Sequence, residues 1–349
     1  MLNNLGISAM TRICFDYDVI KYTVGFASEN RSVIATNKIT GNSITLKNRT
    51  ALKEHLDTFN VGRDSPILST DFDIQDVQES LSPDVVSKIL TQTVNNIVKH
   101  LQGKEYYGYV GRGKVFRHDI AKIKEYKGGR SSLKPVNLPL IEEMLLERFN
   151  GKIAAGNLEA DDFLSIDSHT AWKDWLKTKH QKDRLIVVTT DKDALQCCGS
   201  HLFNPDKMKL PFTIKNELGE VSLREDTKAK TITGYGRKFL YAQMLLGDSV
   251  DNYSPTTLVA KDNPYKRFGD VSCHTLLDGL TTDKECLEAI VERYKLWYPT
   301  PVSFKSHDGE TYHYDWLSVA NEMWNLARMK RWVGDDISFG DVLDKFEII

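Results

Sequence analysis

Apolar and polar positions change period repeatedly along the 349-residue chain, and each change predicts an element. Residues 12–15 form a short apolar run closed by Asp16, which reads as a strand. Residues 32–46, rich in Thr and Ile around Gly41-Asn42, predict a hairpin. Ser82-Pro83 starts a helix over about 84–101, with Val85, Ile89, Val94, Ile97, Val98 and Leu101 on one face. Residues 106–110 predict a second buried strand, and 138–149 an amphipathic helix. Leu158 opens a further helix with acids in its first turn. Residues 185–188 are uniformly apolar, as a central parallel strand requires. Residues 204–233, containing Gly219, read as a hairpin excursion, and 237–246 as a helix ending at Gly247-Asp248. Beyond that point strand signals fade, and 273–280, 284–297 and 315–332 read as helices. The expected class is α/β, a mostly parallel central sheet flanked by helices. The expected division is a core over 1–255 and a helical region over 256–349, with loose joints at 262–264 and 299–301 and no internal repeat. Trp297, Trp316, Trp324 and Trp332 are expected in the core rather than as stacking platforms.

Composition narrows the class without naming it. Hydrophobic content of 41% and charged content of 27% are ordinary for a soluble globular chain. A net charge of −2 means that a nucleic-acid binder of this composition must segregate its charges. No apolar run approaches the length of a membrane span, and residues 1–12 are too polar for a signal peptide. Cys14, Cys197, Cys198, Cys273 and Cys286 form no CxxC pair, which argues for reduced thiols in a cytoplasm rather than disulfides or zinc.

Segregation is visible in the sequence. Residues 111–134 carry Arg112, Lys114, Arg117, Lys122, Lys124, Lys127, Arg130 and Lys134 against only Asp119 and Glu125. Four acidic groups stand where strands end or helices begin: Asp16 with Asp18; Glu159, Asp161 and Asp162; Asp191 with Asp193; and Asp248 with Asp251. The carboxyl ends of parallel strands share one sheet edge, so these acids are expected to converge. Crowded carboxylates repel and call for hard divalent cations, Mg²⁺ or Mn²⁺. Two such ions clamp the attacking and leaving oxygens of a phosphoryl transfer. Each group alone reads more simply as a helix cap or a solvated turn, and the basic tract alone as a solvated helix. The weight lies in their combination.

In that combination the chain resembles the flap endonuclease and 5′-3′ exonuclease family, which includes the 5′-nuclease domain of DNA polymerase I and the exonucleases of tailed phages. Phe15-Asp16-Tyr17-Asp18 resembles its first-strand aspartate motif. Phe116-Arg117-His118-Asp119 followed by Glu125-Tyr126-Lys127-Gly128-Gly129-Arg130 resembles its FR…YK..R motif. Glu159-Ala160-Asp161-Asp162, Thr190-Asp191-Lys192-Asp193 and Gly247-Asp248-Ser249-Val250-Asp251-Asn252 resemble its EADD, DKD and GDxxDN motifs. The resemblance spans about residues 12–280. It implies a PIN-like 5′-nuclease core with a basic helical arch over about 112–150. It also implies two divalent ions held by Asp16, Glu159, Asp161, Asp162, Asp191, Asp193, Asp248 and Asp251. Lys127, Arg130 and Arg117 would act on the scissile phosphate, and Lys124, Tyr126, Lys134, Lys266 and Arg267 would bind DNA, with Tyr126 placed to stack on a base. The implied substrate is DNA with 5′ ends, flaps or nicks, or an RNA–DNA hybrid. The implied setting is a monomer in the cytoplasm of a bacterium or a phage-infected cell. After GDxxDN the family carries a Gly-x-Gly helix–turn–helix that grips duplex DNA and binds K⁺. Here that Gly-x-Gly pair is missing and about ten extra residues intervene, which puts a K⁺ site in doubt and leaves only a degenerate duplex-binding element.

Three rivals remain at this point. Gly108 to Lys114 fits the G-x-x-x-x-G-K phosphate loop of NTPases, but Val115 stands where a metal-ligating hydroxyl is needed. Asp16-Tyr17-Asp18 and Gly247-Asp248 resemble motifs of haloacid-dehalogenase-like phosphatases, which give no role to Glu159, Asp161 and Asp162 or to Lys127 and Arg130. A non-catalytic DNA-binding protein on the same fold requires lost acids, and none of the main ones is lost.

Overall fold

The computed structural model describes residues 11–130, 133–180, 184–197, 201–224 and 230–349; Cys198 lies outside them. In chain order the elements are β1 (Thr11–Asp16), α1 (Tyr17–Ala27), β2 (Glu29–Asn37), β3 (Ser43–Leu46), α2 (Arg49–Phe59), β4 (Phe72–Ser80), α3 (Pro83–His100) and β5 (Gly103–Val110). There follow α4 (Phe116–Ile120), α5 (Leu138–Arg148), β6 (Gly151–Ile153), α6 (Ala160–Thr178), β7 (Leu185–Val188), β8 (His201–Phe203), β9 (Phe212–Thr213), β10 (Glu220–Arg224) and β11 (Thr231–Tyr235). The last are α7 (Arg237–Leu246), α8 (Asp270–Leu277), α9 (Asp283–Trp297), β12 (Val302–Lys305), β13 (Thr311–Tyr314), α10 (Trp316–Ala327) and α11 (Phe339–Lys345).

The chain divides into two compact units, residues 1–18, 97–132 and 149–349, and residues 19–96 and 133–148. The boundary expected near residue 255 therefore does not separate them. Residues of α8 to α11 share one apolar cluster with α7 and with Val115, Ile123 and Tyr126, so the C-terminal part belongs to the first unit's core.

The first unit contains the central sheet, ordered β6-β5-β1-β7-β8-β9, with every pair parallel except β8–β9. The α/β expectation holds. β1 and β7 are almost wholly buried, which is why their sequences are unbroken apolar runs. Gly108 of β5 shows how tightly β5 lies on β1: an added Cβ would stand 2.6 Å from the Phe15 carbonyl oxygen. Gly108 is thus a strand residue in close packing, and Lys114 pairs with Asp119, so the phosphate-loop pattern is not a loop that cradles phosphate.

The second unit is built on the three-stranded antiparallel sheet β3-β2-β4. Leu52 and Leu56 of α2 cover its Ala35, Ile44, Leu46 and Ile74. The hairpin around Gly41-Asn42 is present, and β4 and α2 escaped the sequence reading. The C-terminal region is not purely helical either, because β12 and β13 form an antiparallel hairpin. Trp297 and Trp324 are core residues, whereas Trp332 is 39% exposed.

Candidate metal centre

Parallel strands deliver their following residues to one edge of the sheet, and four acidic segments meet there. Asp16 is the last residue of β1 and is 2% exposed; its Oδ2 accepts a hydrogen bond from the Thr189 hydroxyl, 2.8 Å away, just after β7. Glu159 is the N-cap of α6, and Asp161 and Asp162 fill that helix's first turn, where carboxylates complement the dipole. Asp191 accepts from the Asp193 amide at 2.8 Å, which turns the chain into a 3₁₀ turn. Asp248 and Tyr253 exchange backbone hydrogen bonds at 3.0 Å, closing the loop that carries Asp251. Gly247 is required for that loop: its φ is +78°, and a Cβ would stand 2.3 Å from the Tyr253 carbonyl oxygen.

Charge sorts seven of the eight predicted acids, all but Asp16, into two sets. The first is neutralised by the protein. Arg117, 2% exposed, donates to both Asp162 oxygens at 2.7 and 2.9 Å and to Glu159 at 2.9 Å. Lys127 Nζ donates to Glu159 Oε1 at 2.5 Å, Lys192 Nζ lies 2.6 Å from Asp248 Oδ2, and Arg130 lies 2.9 Å from Asp251 Oδ1. Burial opposes the charge of Glu159, Asp162 and Asp248, yet these partners outweigh it and hold all three carboxyls below the usual range. In the second set burial and like charge outweigh the nearby lysines. Burial, reinforced by Asp16, Asp191 and Glu159, pushes the Asp161 carboxyl well up. Burial raises Asp191 as well, and burial with the Asp191 charge pushes Asp193 up to about 7. Asp161 and Asp191 share a cleft with apolar Leu164, Val187 and Leu202, which deepens the penalty.

Two predicted roles change in this setting. Arg117 is not presented to a phosphate: besides its carboxylates it donates to the carbonyls of Leu326 and Arg328, so it binds the start of α6 to the end of α10. Tyr126 is 4% exposed, and its hydroxyl lies 3.0 Å from Glu159 Oε2 and 3.1 Å from Asp251 Oδ2, so it is buried among carboxylates rather than offered to a base. The tract 121–130 runs over the site as an irregular strap stitched to the Asp248 loop: Lys127 N donates to Asp251 O at 3.0 Å and Asn252 Nδ2 to Glu125 O at 2.9 Å. Lys127, Asn157 and Asn252 are all left-handed, with φ of 59°, 66° and 61°, so backbone strain gathers at these segments.

The remaining predicted residues do not join this cluster. Lys124 lies on the strap, half-buried. Lys266 Nζ donates to Val259 O at 2.5 Å, and Arg267 is exposed before α8. Lys134 belongs to the second unit, so the segment expected to form an arch, 112–150, is shared between the units, with α4 in the first and α5 in the second. Thr189, Lys192, Gln243, which donates to Asp193, and Lys330, whose amide donates to Asp162 Oδ1 at 3.1 Å, went unnoticed in the sequence. Of these only Lys192 had a signal, its place inside Asp191-Lys192-Asp193.

Among the described residues, no three acidic, histidine or cysteine side chains already stand as a metal-holding group. The ion pairs explain this: Glu159, Asp248 and Asp251 are turned toward Lys127, Lys192 and Arg130. The donor set nevertheless suits hard cations, being all carboxylate oxygen with charge that nearby lysines only partly offset at Asp161, Asp191 and Asp193.

Fold and site together define an α/β protein with a carboxylate cluster at the carboxyl edge of a parallel sheet, overlain by a cationic strap. No family model and no curated protein matches the chain. Among solved structures it is similar to a T5 protein co-crystallised with metal ions, with 15% identity and a TM-score of 0.43 over 74% of this chain and 90% of that one. It is also similar to a mutant T5 5′-exonuclease (15% identity, TM-score 0.38, 74% and 89% covered). A third is the bacteriophage T5 flap endonuclease in a pseudo-enzyme–product complex with DNA and metal ions (13% identity, TM-score 0.36, 69% and 90% covered).

Proposed function

We propose that the chain is a divalent-metal-dependent nuclease that hydrolyses DNA phosphodiesters at or near 5′ ends, as a 5′-3′ exonuclease or flap endonuclease. The observation that carries this reading is the meeting of acids from four distant segments beneath a strap bearing Lys124, Lys127 and Arg130. The 5′ preference rests on the motif resemblance.

Asp16, Asp161, Asp191 and Asp193 would hold the ions, two Mg²⁺ or Mn²⁺, with Glu159, Asp248 and Asp251 joining as their cationic partners turn away. Bound ions would supply an acidified water and neutralise charge on the phosphoryl group. The chain's own residues do the rest. Asp162 and Arg117 fix the start of α6, and with it the angle at which Asp161 enters the pocket. Thr189 holds the Asp16 carboxylate in one orientation. Lys127 and Arg130, released from Glu159 and Asp251, meet the phosphate and its developing charge. Asp16 is poorly suited to be a phosphatase nucleophile, being buried and hydrogen-bonded.

The substrates proposed are flapped, nicked or blunt DNA and RNA–DNA hybrids, bound by a monomer. The test is cleavage of end-labelled versions of each with Mg²⁺, Mn²⁺ or EDTA. Metal-dependent release of 5′-phosphorylated products is expected, and binding without cleavage under every metal condition would sink the reading.

A further inference from the structure

Between α4 and Arg130 the strap is neither helix nor strand, so its backbone polar groups need partners from elsewhere in the fold. We propose that Glu322 of α10 is a positioning residue for this strap, holding through one carboxylate oxygen the backbone from which Lys124 and Lys127 reach a substrate phosphate. The proposal rests on the nuclease reading and adds to it a residue remote from the carboxylate cluster.

Glu322 Oε1 accepts the amides of Lys122 and Ile123, both at 3.0 Å, across 200 and 199 residues. Glu322 is 4% exposed, in the middle of a helix whose neighbours Val319, Ala320 and Met323 are core residues. A carboxylate is costly in such a place, and what it supplies is an acceptor for two adjacent N–H groups that an apolar residue would leave unpaired. The neighbouring carbonyl is held from the same region. His307 Nε2, in the turn between β12 and β13, lies 2.9 Å from Ala121 O, and Lys122 Nζ lies 3.4 Å from Asp308 Oδ2 in that turn. Three consecutive strap residues, Ala121, Lys122 and Ile123, thus take backbone or ionic partners from the C-terminal hairpin and α10.

Beyond Ile123 the strap makes, among the described residues, no further backbone hydrogen bond to α10; it is next held at Glu125, whose carbonyl accepts from Asn252 Nδ2 at 2.9 Å, and then at Tyr126 and Lys127 beside Glu159. Lys124 follows Ile123 directly and Lys127 stands four residues on, at most about 14 Å of extended chain, so a shift at Ile123 passes first to Lys124 and then toward Lys127, whose amide Asp251 also holds. A displacement of about 1 Å at a group meeting the reacting phosphate is enough to slow chemistry by up to about 100-fold.

The experiment compares wild type, Glu322→Gln and Glu322→Leu in steady-state cleavage of an end-labelled 5′-flap oligonucleotide with Mg²⁺. Hydrogen exchange at the Lys122 and Ile123 amides is followed in parallel. The Leu variant is expected to exchange both amides faster and to lose about 10- to 100-fold in kcat, with KM little changed. The Gln variant keeps a carbonyl acceptor and is expected to restore amide protection and most of the rate. A folded Leu variant with unprotected amides and wild-type kcat would overturn the proposal, and so would a Gln variant as slow as Leu. Should Glu322→Leu fail to fold, His307→Ala is read the same way, with a smaller drop in kcat expected and an unchanged kcat counting against the positioning role. A wild-type chain that cuts no substrate overturns the nuclease reading instead; amide exchange in the variants still reports on whether Glu322 holds the strap.

Discussion

The Tyr126 hydroxyl lies 3.1 Å from Asp251 Oδ2, joining the strap to the Asp248 loop across 125 residues. The same oxygen is 3.0 Å from Glu159, so one neutral donor stands between two carboxylates from different segments. Burial and then the Glu159 charge push the phenol's pKa up, which keeps it protonated and able to donate. Tyr126→Phe should therefore leave the fold intact, lower stability by about 1 kcal/mol, and slow DNA cleavage more than it weakens DNA binding. Denaturant midpoints beside kcat and KM measure both effects; unchanged kcat would make the contact purely structural.

Asp161 is buried beside Asp16, Asp191 and Glu159, and the Lys127 charge only partly offsets their repulsion. Asp161→Asn should raise the melting temperature of the metal-free protein at neutral pH, because a repelled, buried carboxylate is replaced by a neutral amide of the same shape. The same variant should lose at least about 100-fold in cleavage. A variant both less stable and fully active would contradict the charge sorting described above.

Metal affinity should depend on pH with a definite sign. Ligand carboxylates must be ionised, and the Asp193 carboxyl sits at about 7, so protons compete with the ion below that value. Mn²⁺ binding, followed by calorimetry in the absence of DNA, should tighten as pH rises from about 5.5 through about 7. Binding that weakens over that interval would remove Asp193 from the ligand set.

Glu322 gives a second pH signature, in stability rather than affinity. Burial pushes its carboxyl up to about 7 from its ordinary value of 4.5. The folded state therefore binds more protons than the unfolded chain between these values. This contribution to stability is full below about 4.5 and is lost as pH rises through about 7, by about 3 kcal/mol in all. Glu322→Gln removes the titration while keeping an acceptor, so its stability should fall less than that of wild type between pH 5 and 8. Parallel stability–pH curves for the two proteins would refute this.

Arg117 is buried with Asp162 and Glu159, and its removal strands a buried carboxylate. Arg117→Met should destabilise the protein by about 3–5 kcal/mol. Arg117→Lys should recover little, because a single ammonium cannot satisfy both Asp162 oxygens and two carbonyls at once. Chemical denaturation of the three proteins decides it.

The convergence of the acids was legible in the sequence because strand ends and helix starts are local signals. The apolar runs before Asp16 and Asp191 identify buried parallel strands, and the acids that follow have only one edge to occupy. What the sequence could not separate was role within the cluster. Asp161 and Asp162 are adjacent and chemically alike, yet one is repelled by carboxylates and the other is clasped by Arg117. That difference depends on which face of α6 meets α4 and the end of α10, contacts separated by 45 and 168 residues. Tyr126 was misread for a similar reason: an aromatic within a basic tract reads as a stacking platform until its burial is known. The hairpin β12–β13 was missed because Val302–Lys305 and Thr311–Tyr314 are four residues each, too short for their alternation to stand out.

The end of α10 closes the base of the carboxylate cluster. Leu326 and Arg328 present carbonyls to Arg117, Ala327 accepts from Gln196, and the Lys330 amide meets Asp162. A growing polypeptide therefore lacks these braces until residue 330 has cleared the ribosome, however early the strands carrying Asp16 and Asp191 collapse. On the proposed nuclease reading, activity would thus mature only near the completion of this stretch, and chains cut short before it would carry the acids without the frame that aims them.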